Sequence, residues 1–373
     1  MKPLTIIHTE CSTGWGGQEI RVFTEMKAMQ SRGHRLLLAA PERAEIFRRC
    51  QQAGYTVFAF RDTKSSYPAS IYRLTQWFKT IRPQVLNLHS SRDGWIGGIA
   101  GRLAGVPLIL RSRHIEVAYP HRFMSRIAFA HLPHHVLTTS EKISKGLIDA
   151  LGLDKERVTC IPTGIDLDTY SKTSPGTLRK ELNLATDIPL IGMISVLRGW
   201  KGHIHLFEAL KILRDRAHPI HLIVAGDGPQ KETLPKWTKE KGIADFVHFL
   251  GHRSDVPNLL NSLDALIVPS EDHEGIPQIV LQAQATGTPV IGSSVGGIPE
   301  VITHRETGLL VPPRDPDALA QTLEELLHSP ALREQLSTRG AEYARQHHST
   351  EVMCQKLESI YEKNPAGNTN PKK

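Results

Sequence analysis

Arg198, Lys201, Glu274 and Gln282 have the types and spacing to hold a diphosphate and the hydroxyls of an attached sugar. Arg198 and Lys201 lie in SVLRGWKGHIHLFEAL (195–210), between an apolar run and a helical pattern. A guanidinium fork matches two phosphate oxygens and an ammonium is a compact point charge, so the pair can neutralise a diphosphate. A solvated loop pair would read the same way. Glu274 and Gln282 lie in EDHEGIPQIVLQAQATGTPVIGSSVGGIPEVI (271–302). A helix starting near Pro277, a residue suited to a first turn, leaves the amides of Gly275, Ile276 and Gln278 at its entrance, where anionic oxygens bind. Glu274 can accept from sugar hydroxyls, and Gln282 can meet a ribose hydroxyl as donor or acceptor. AGDGP (225–229) puts Gly226 in another tight turn at a strand end.

Near the start, TGWGGQE (13–19) follows an apolar run and opens a helix. Gly16 and Gly17 offer a loop whose amides suit a phosphate. A dinucleotide fingerprint would need a third glycine where Glu19 stands, so that reading is weak. A tight strand-to-helix turn alone also fits. His114 ends PLILRSRH and His89 ends QVLNLHS, both where a strand gives way to a loop. Lone histidines at strand ends are also often structural.

These residues need a scaffold that brings strand ends together. Short apolar runs at 4–9, 34–41, 55–60, 84–90, 107–114 and 134–140 alternate with helical patterns. Their continuity suits strands buried on both faces, and the alternation argues for a parallel sheet. The pattern restarts at 189–197, 220–228, 247–251, 265–270, 288–294 and 308–312, after a polar stretch at 170–178 that reads as a linker. The expectation is α/β: two doubly wound, Rossmann-like domains facing across a cleft, with ligands beyond the carboxyl ends of the strands. The first spans 1–168 and the second 169–345, with a hinge near 166–178. A helix over 315–327 belongs to the second. The last helix, over 330–362, has a break at 346–348, and its 346–362 part packs back on the first domain. The tail, 363–373, is expected to be disordered.

Composition bounds the partners. The chain has 373 residues, 40% of them hydrophobic, enough for two sizeable cores. Its four cysteines, Cys11, Cys50, Cys160 and Cys354, form no C-x-x-C pair, which disfavours zinc and thiol redox chemistry. Its 19 histidines include His203-Ile-His205 and His347-His348, but residues two apart do not share a helix face, and no metal site is expected. The formal charge of +7 suits a phosphorylated substrate or an anionic membrane surface. No nucleic-acid motif accompanies it. The N-terminus lacks a signal-peptide pattern, and no apolar run approaches the ~18 residues of a span. Helical stretches at 42–51, 72–82 and 121–131 carry Arg48, Arg49, Lys79, Arg82, Arg122 and Arg126, which suit weak contact with anionic lipid. An amphipathic helix with a solvated face fits equally well.

Taken together, GWGGQE (14–19), RSRH (111–114), IPTGID (161–166), RGWKG (198–202), AGDGP (225–229) and the 274–302 segment resemble the retaining GT-B glycosyltransferases of family four, the glycosyl transferases group 1. That family carries Glu, seven residues, Glu; here the second position is Gln282. The resemblance implies that Glu274 contacts the donor sugar and that Arg198 and Lys201 bind the diphosphate. It implies that Gly16 and Gly17 close on the donor phosphate or the acceptor. It implies that His114, or else His89, lies near the reacting carbon. It implies transfer from a nucleotide-diphosphate sugar to a lipid- or glycan-linked acceptor with retention, by front-face attack without an enzyme nucleophile, and with neither metal nor cofactor. Lipopolysaccharide or other envelope polysaccharide synthesis is the expected setting, in the cytoplasm and peripherally on the inner membrane face. An epimerase or a phosphorylase on the same scaffold, or a non-catalytic nucleotide- or glycan-binding protein, are the competing expectations.

Overall fold

The computed structural model describes residues 1–115, 122–171, 176–272 and 274–363. Two compact units emerge: Met1–Gly164 with Thr350–Lys373, and Ile165–Ser349.

In the first unit the strands are β1 (Thr5–Thr9), β2 (Arg35–Ala40), β3 (Thr56–Ala59), β4 (Val85–Leu88), β5 (Leu108–Arg113), β6 (His135–Thr138) and β7 (Val158–Cys160). They form one parallel sheet in the order β3-β2-β1-β4-β5-β6-β7. The helices between them are α1 (Gly17–Ser31), α2 (Glu45–Gln52), α3 (Tyr67–Ile81), α4 (Ser91–Ala104), α5 (Arg122–Arg126) and α6 (Glu141–Leu151). Ile6, Leu36, Leu38 and Leu110 bury one sheet face against Val22, Met26 and Met29 of α1. Ile7, Leu37, Leu86 and Ile109 bury the other against Leu74, Phe78 and Ile96. This two-sided burial is why the strands read as unbroken apolar runs. Their carboxyl ends turn polar yet stay buried, at His8, Thr9, Asn87, Arg111, Ser112 and Arg113. The sequence reading missed β7: Val158-Thr159-Cys160 is a three-residue edge strand, half-buried and without an apolar run.

The second unit holds β8 (Leu190–Ile194), β9 (His221–Ala225), β10 (Val247–Gly251), β11 (Ala265–Val268), β12 (Val290–Ser293) and β13 (Leu309–Val311). All six lie within the runs read from sequence. They form a parallel sheet in the order β10-β9-β8-β11-β12-β13. The strand order reverses between β8 and β11, so the loops leaving these neighbours diverge and open a crevice. Helices α7 (Leu178–Glu181), α8 (His203–Asp215), α9 (Leu234–Glu240), α10 (Val256–Ser262), α11 (Gln278–Ala285), α12 (Pro316–His328) and α13 (Pro330–His347) complete the unit.

The helix expected over 330–362 is two helices, α13 and α14 (Thr350–Lys363). At the break Ile165 N–H donates to the His348 carbonyl at 2.7 Å and Ile165 bridges Ser349. These pairings tie 165–168 and 346–349 to the second unit, although the sequence reading placed 165–168 with the first domain and 346–349 in the returning helix. Met353, Leu357 and Ile360 of α14 join the core of the first unit. The described end of the expected linker is fixed: Gly176 N–H donates to the Asn261 carbonyl and Thr177 N–H to Asn258 Oδ1. The rest of that linker (172–175), the start of the helix expected at 121–131 and the tail from 364 lie outside the described residues.

Candidate functional site

Two polar clusters sit at carboxyl strand ends, one in each unit. In the second unit the cluster lies where the loops leaving β8 and β11 diverge. The first of these loops runs through Arg198 into a short turn, Gly199–Lys201, and then Gly202 starts α8. Gly202 has φ +77°, and a Cβ there would fall 1.9 Å from the Pro269 carbonyl oxygen. Only glycine lets the two loops touch, and the touch carries Lys201 onto Glu274.

Lys201 Nζ pairs with Glu274 Oε1, and Ser270 Oγ donates to the same oxygen at 2.7 Å. Glu274 is 6% exposed. Burying a carboxylate this deeply is costly without such partners. Both converge on Oε1, and Oε2 has no partner among the described residues. That oxygen is left as a hydrogen-bond acceptor for a ligand group. Glu271 on the rim is committed elsewhere, to Arg314 Nε at 3.0 Å and His205 Nε2 at 3.3 Å. Arg198 is exposed, lies 5.1 Å from the Trp200 ring and pairs with no described carboxylate, so its charge is available to an anion.

The amides of Gly275 and Ile276 donate to no described residue, and both residues are buried just before α11. Pro277 takes the N-cap of this helix, one position earlier than its expected place in the first turn, and Gln278 is its first residue. Gln282 is 8% exposed with no described hydrogen-bond partner for its amide. Gly226 forms the tight turn expected of it. Its amide donates to the Gly251 carbonyl at 2.8 Å, so it shapes the turn after β9 and offers no N–H to an anion. His203, weighed from sequence only as part of a cluster with no metal role, is buried beside Ser195 Oγ at 3.4 Å. Burial, and then the Lys201 charge, push it down to about 4, so it is neutral.

In the first unit the glycine loop is tied inward. Glu10 Oε1 accepts from the amides of Cys11 and Ser12 at 2.8 Å each, and Oε2 accepts from Gln18 Nε2 at 2.6 Å. Burial and the nearby Asp93 push Glu10 up to about 8. Gly16 caps α1, and its amide donates to Glu19 Oε2 at 2.7 Å. That bond explains the acid in place of a third glycine, and it commits the Gly16 N–H. Gly17 is the first residue of α1. Asp93 caps α4, accepting from the amides of His89 and Ser90 at 2.9 and 2.8 Å and from Thr9 Oγ1 at 2.6 Å.

His114 and His89, read separately from sequence, are in contact. His89 Nδ1 lies 3.1 Å from His114 Nε2, and His8 Nδ1 lies 2.8 Å from His89 Nε2. Their rings stack, with centroids 5.1 and 5.3 Å apart. Burial lowers all three, His8 to about 3 and the others well below the ordinary imidazole value, and Arg21 lowers each further. The row is therefore neutral. His8, Glu10, Asp93 and Arg111 were missed, although each interrupts or directly follows an apolar run at a strand's carboxyl end or opens the next helix.

Among the described residues, no group of three or more His, Cys, Asp or Glu side chains is placed to hold a metal ion, and no helix is long and apolar enough to cross a membrane. Residues 15–169 match the family model "Glycosyltransferase Family 4", and residues 176–343 match "Glycosyl transferases group 1". The chain is 27% identical over 268 residues to an Escherichia coli UDP-Gal:alpha-D-GlcNAc-diphosphoundecaprenol alpha-1,3-galactosyltransferase, covering 68% of each chain. It is 29% identical over 260 residues to a Mycobacterium tuberculosis GDP-mannose-dependent alpha-(1-6)-phosphatidylinositol monomannoside mannosyltransferase, covering 64% of this chain and 67% of that one. Its fold matches Anabaena HepE in complex with UDP and glucose, with a TM-score of 0.84 and 22% identity over 96% of this chain and 99% of that one. Two doubly wound parallel sheets and two family models that between them run from residue 15 to residue 343 lead to one assignment: the chain belongs to the GT-B glycosyltransferases of family four, group 1, and is a hexosyltransferase-type enzyme.

Proposed function

We propose that the protein moves a hexose from a nucleoside-diphosphate sugar to a lipid- or glycan-linked acceptor, with retention of anomeric configuration, in envelope polysaccharide synthesis such as that of lipopolysaccharide. The observation that carries this reading is the Glu274 carboxylate, held on Oε1 by Lys201 and Ser270 with Oε2 unpartnered among the described residues, in the two loops that also carry Arg198 and the amides of Gly275 and Ile276. Breaking the sugar–phosphate bond builds positive charge on the sugar and negative charge on the diphosphate. Arg198, Lys201 and the two amides stabilise the second, as preorganised donors do in a partly dehydrated site. Glu274 Oε2 takes hydroxyls of the sugar, and Gln282 takes the ribose. Gln278, at the start of the same helix, faces the phosphates. With this much fixed positive charge, the leaving diphosphate needs no metal. It takes the acceptor's proton on the face where the acceptor attacks, so no enzyme nucleophile is invoked. In the first unit, Gly16 and Gly17 line the glycine loop beside the acceptor and His114 lies near the reacting carbon.

The lipid-linked acceptor is supported by the substrates named for the Escherichia coli and Mycobacterium tuberculosis relatives. A surface for such an acceptor, or for an anionic membrane, is offered by α5, where Phe123 is 75% exposed and Arg126 follows. Arg48 and Arg49 of α2 are weaker candidates, because both pair with Glu45. The test is release of nucleoside diphosphate from UDP-galactose and GDP-mannose, with the anomeric configuration of the product read by proton NMR. Turnover with retention, abolished in Glu274→Ala, supports the reading. An inverted product, or a Glu274→Ala enzyme that keeps full rate, contradicts it.

A further inference from the structure

The row of histidines has a direction, and something at its buried end sets it. A neutral imidazole carries one N–H and one lone pair, so rings joined nitrogen to nitrogen must all donate the same way. If His8 Nδ1 donates to His89 Nε2, then His89 Nδ1 donates to His114 Nε2, and the His114 proton sits on Nδ1. In the opposite sense, His114 Nε2–H donates to His89 Nδ1, His89 Nε2–H donates to His8 Nδ1, and the His8 proton sits on Nε2. The far end of His114 then presents a lone pair.

His8 Nε2 faces Glu25 Oε1 at 3.9 Å, in a site where both residues are fully buried. A carboxylate there favours an N–H over a lone pair. Burial pushes the Glu25 carboxyl above the usual carboxylate range and Arg21 opposes this, but its neighbours orient Oε1 as an acceptor in either state. Ser112 Oγ donates to Asn87 Oδ1 at 2.8 Å, which turns the Asn87 amide so that Nδ2 donates to Glu25 Oε1 at 3.3 Å. Arg21, buried and held by Thr163 Oγ1, lies 3.8 Å from Glu25 Oε2 and supplies the countercharge. At the other end His114 Nδ1 has no partner among the described residues. We propose that Glu25, His8 and His89 are positioning residues that fix the tautomer of His114, so that its Nδ1 meets a substrate hydroxyl as a bare hydrogen-bond acceptor.

This inference rests on the reading of His114 as a site residue, but its test does not. Protein labelled with 15N-histidine is recorded by NMR without substrate, and the three residues are assigned by single substitution. The wild type is expected to show His8, His89 and His114 all as the Nε2–H form. Glu25→Leu removes the fixed acceptor, and His8→Phe cuts the row while leaving the Arg21–Glu25 pair intact. Each is expected to bring a resolved Nδ1–H population to His114. Each is also expected to lower kcat roughly tenfold, the lower end of what second-layer partners cost, with the donor KM within about twofold. Nδ1–H at His114 in the wild type, or a His114 tautomer indifferent to both substitutions, overturns the proposal. The wild-type spectrum decides even if neither variant folds. Failure of the sugar-transfer reading would appear only in the turnover arm and leave the tautomer result standing.

Discussion

Gly296→Ala tests whether the position of Glu274, and not merely its presence, sets the activity. Gly296 has φ +57°, and a Cβ there would lie 2.2 Å from the Glu274 carbonyl oxygen and 2.8 Å from its Cβ. Contacts under 3.0 Å are essentially never seen for a real Cβ, so the carbonyl would have to retreat by about 0.8 Å. The obstacle is backbone, so no rotamer change relieves it. The next amide, Gly297 N–H, donates to that carbonyl at 3.2 Å, so the retreat also disturbs the turn that anchors the segment. Alanine in a left-handed conformation costs ~1–2 kcal/mol, and overpacking adds ~1–3. A misplacement near 1 Å in a catalytic constellation costs on the order of 100-fold in rate. Gly242 supplies the control: it has φ +70° but nothing within 4 Å of its would-be Cβ. Gly242→Ala is therefore expected to lose only the backbone cost, ~1–2 kcal/mol, and to keep its turnover. Thermal unfolding reads the stabilities, and initial rates of nucleoside diphosphate release per folded molecule read the activities. If Gly296→Ala turns over as fast as Gly242→Ala, the link from loop contact to Glu274 placement to catalysis is refuted.

Other expectations follow from the same geometry. Lys201→Met leaves the Glu274 carboxylate with Ser270 alone, and kcat/KM should fall ~100- to 1,000-fold through kcat, as when a transition-state donor is removed; a rise in KM with kcat unchanged would contradict its role. Arg198→Gln should cost a similar factor without loss of thermal stability, because the side chain is exposed and unpaired. Gln282→Glu places a charged acceptor where the amide has no described partner, and it should lower the donor KM by roughly three- to tenfold with kcat unchanged; an unchanged KM would remove Gln282 from the ribose. The His8 imidazole has a folded value of about 3 against an ordinary 6.5. A depressed value means stability present above 6.5 and lost as pH falls toward 3. At pH 5 His8 alone should cost about 2 kcal/mol relative to pH 7, and His8→Phe should flatten the acid limb by that much in pH-dependent unfolding.

The scaffold was legible because strands in a sheet covered on both faces read as apolar runs, and among the described residues twelve of the thirteen strands fall in such runs. β7 does not, being a short edge strand with half-buried side chains. The second-unit site was legible as parts. Glu274 and Lys201 could be named from motifs, but their pairing across 73 residues appears only once β8 and β11 are neighbours. The histidine row was hidden for the same reason. His8 lies in β1, and His89 and His114 follow β4 and β5, which is one continuous set only in the sheet order β1-β4-β5. Glu19 looked like a defect in a glycine motif until its carboxylate was seen capping Gly16. Gly226 could be read as a tight turn, but that its amide is spent on Gly251 appears only once β9 and β10 are paired.

The central claim is that the diverging loops after β8 and β11 hold the diphosphate while Glu274 meets the sugar. A crystal structure with an intact nucleotide sugar, UDP-galactose or GDP-mannose according to which one the enzyme turns over, tests it most directly. Phosphate oxygens are expected within about 3 Å of Arg198, Lys201 and the Gly275 and Ile276 amides, with a sugar hydroxyl on Glu274 Oε2. A diphosphate bound elsewhere in the second unit, with Glu274 still facing only Lys201 and Ser270, would contradict it.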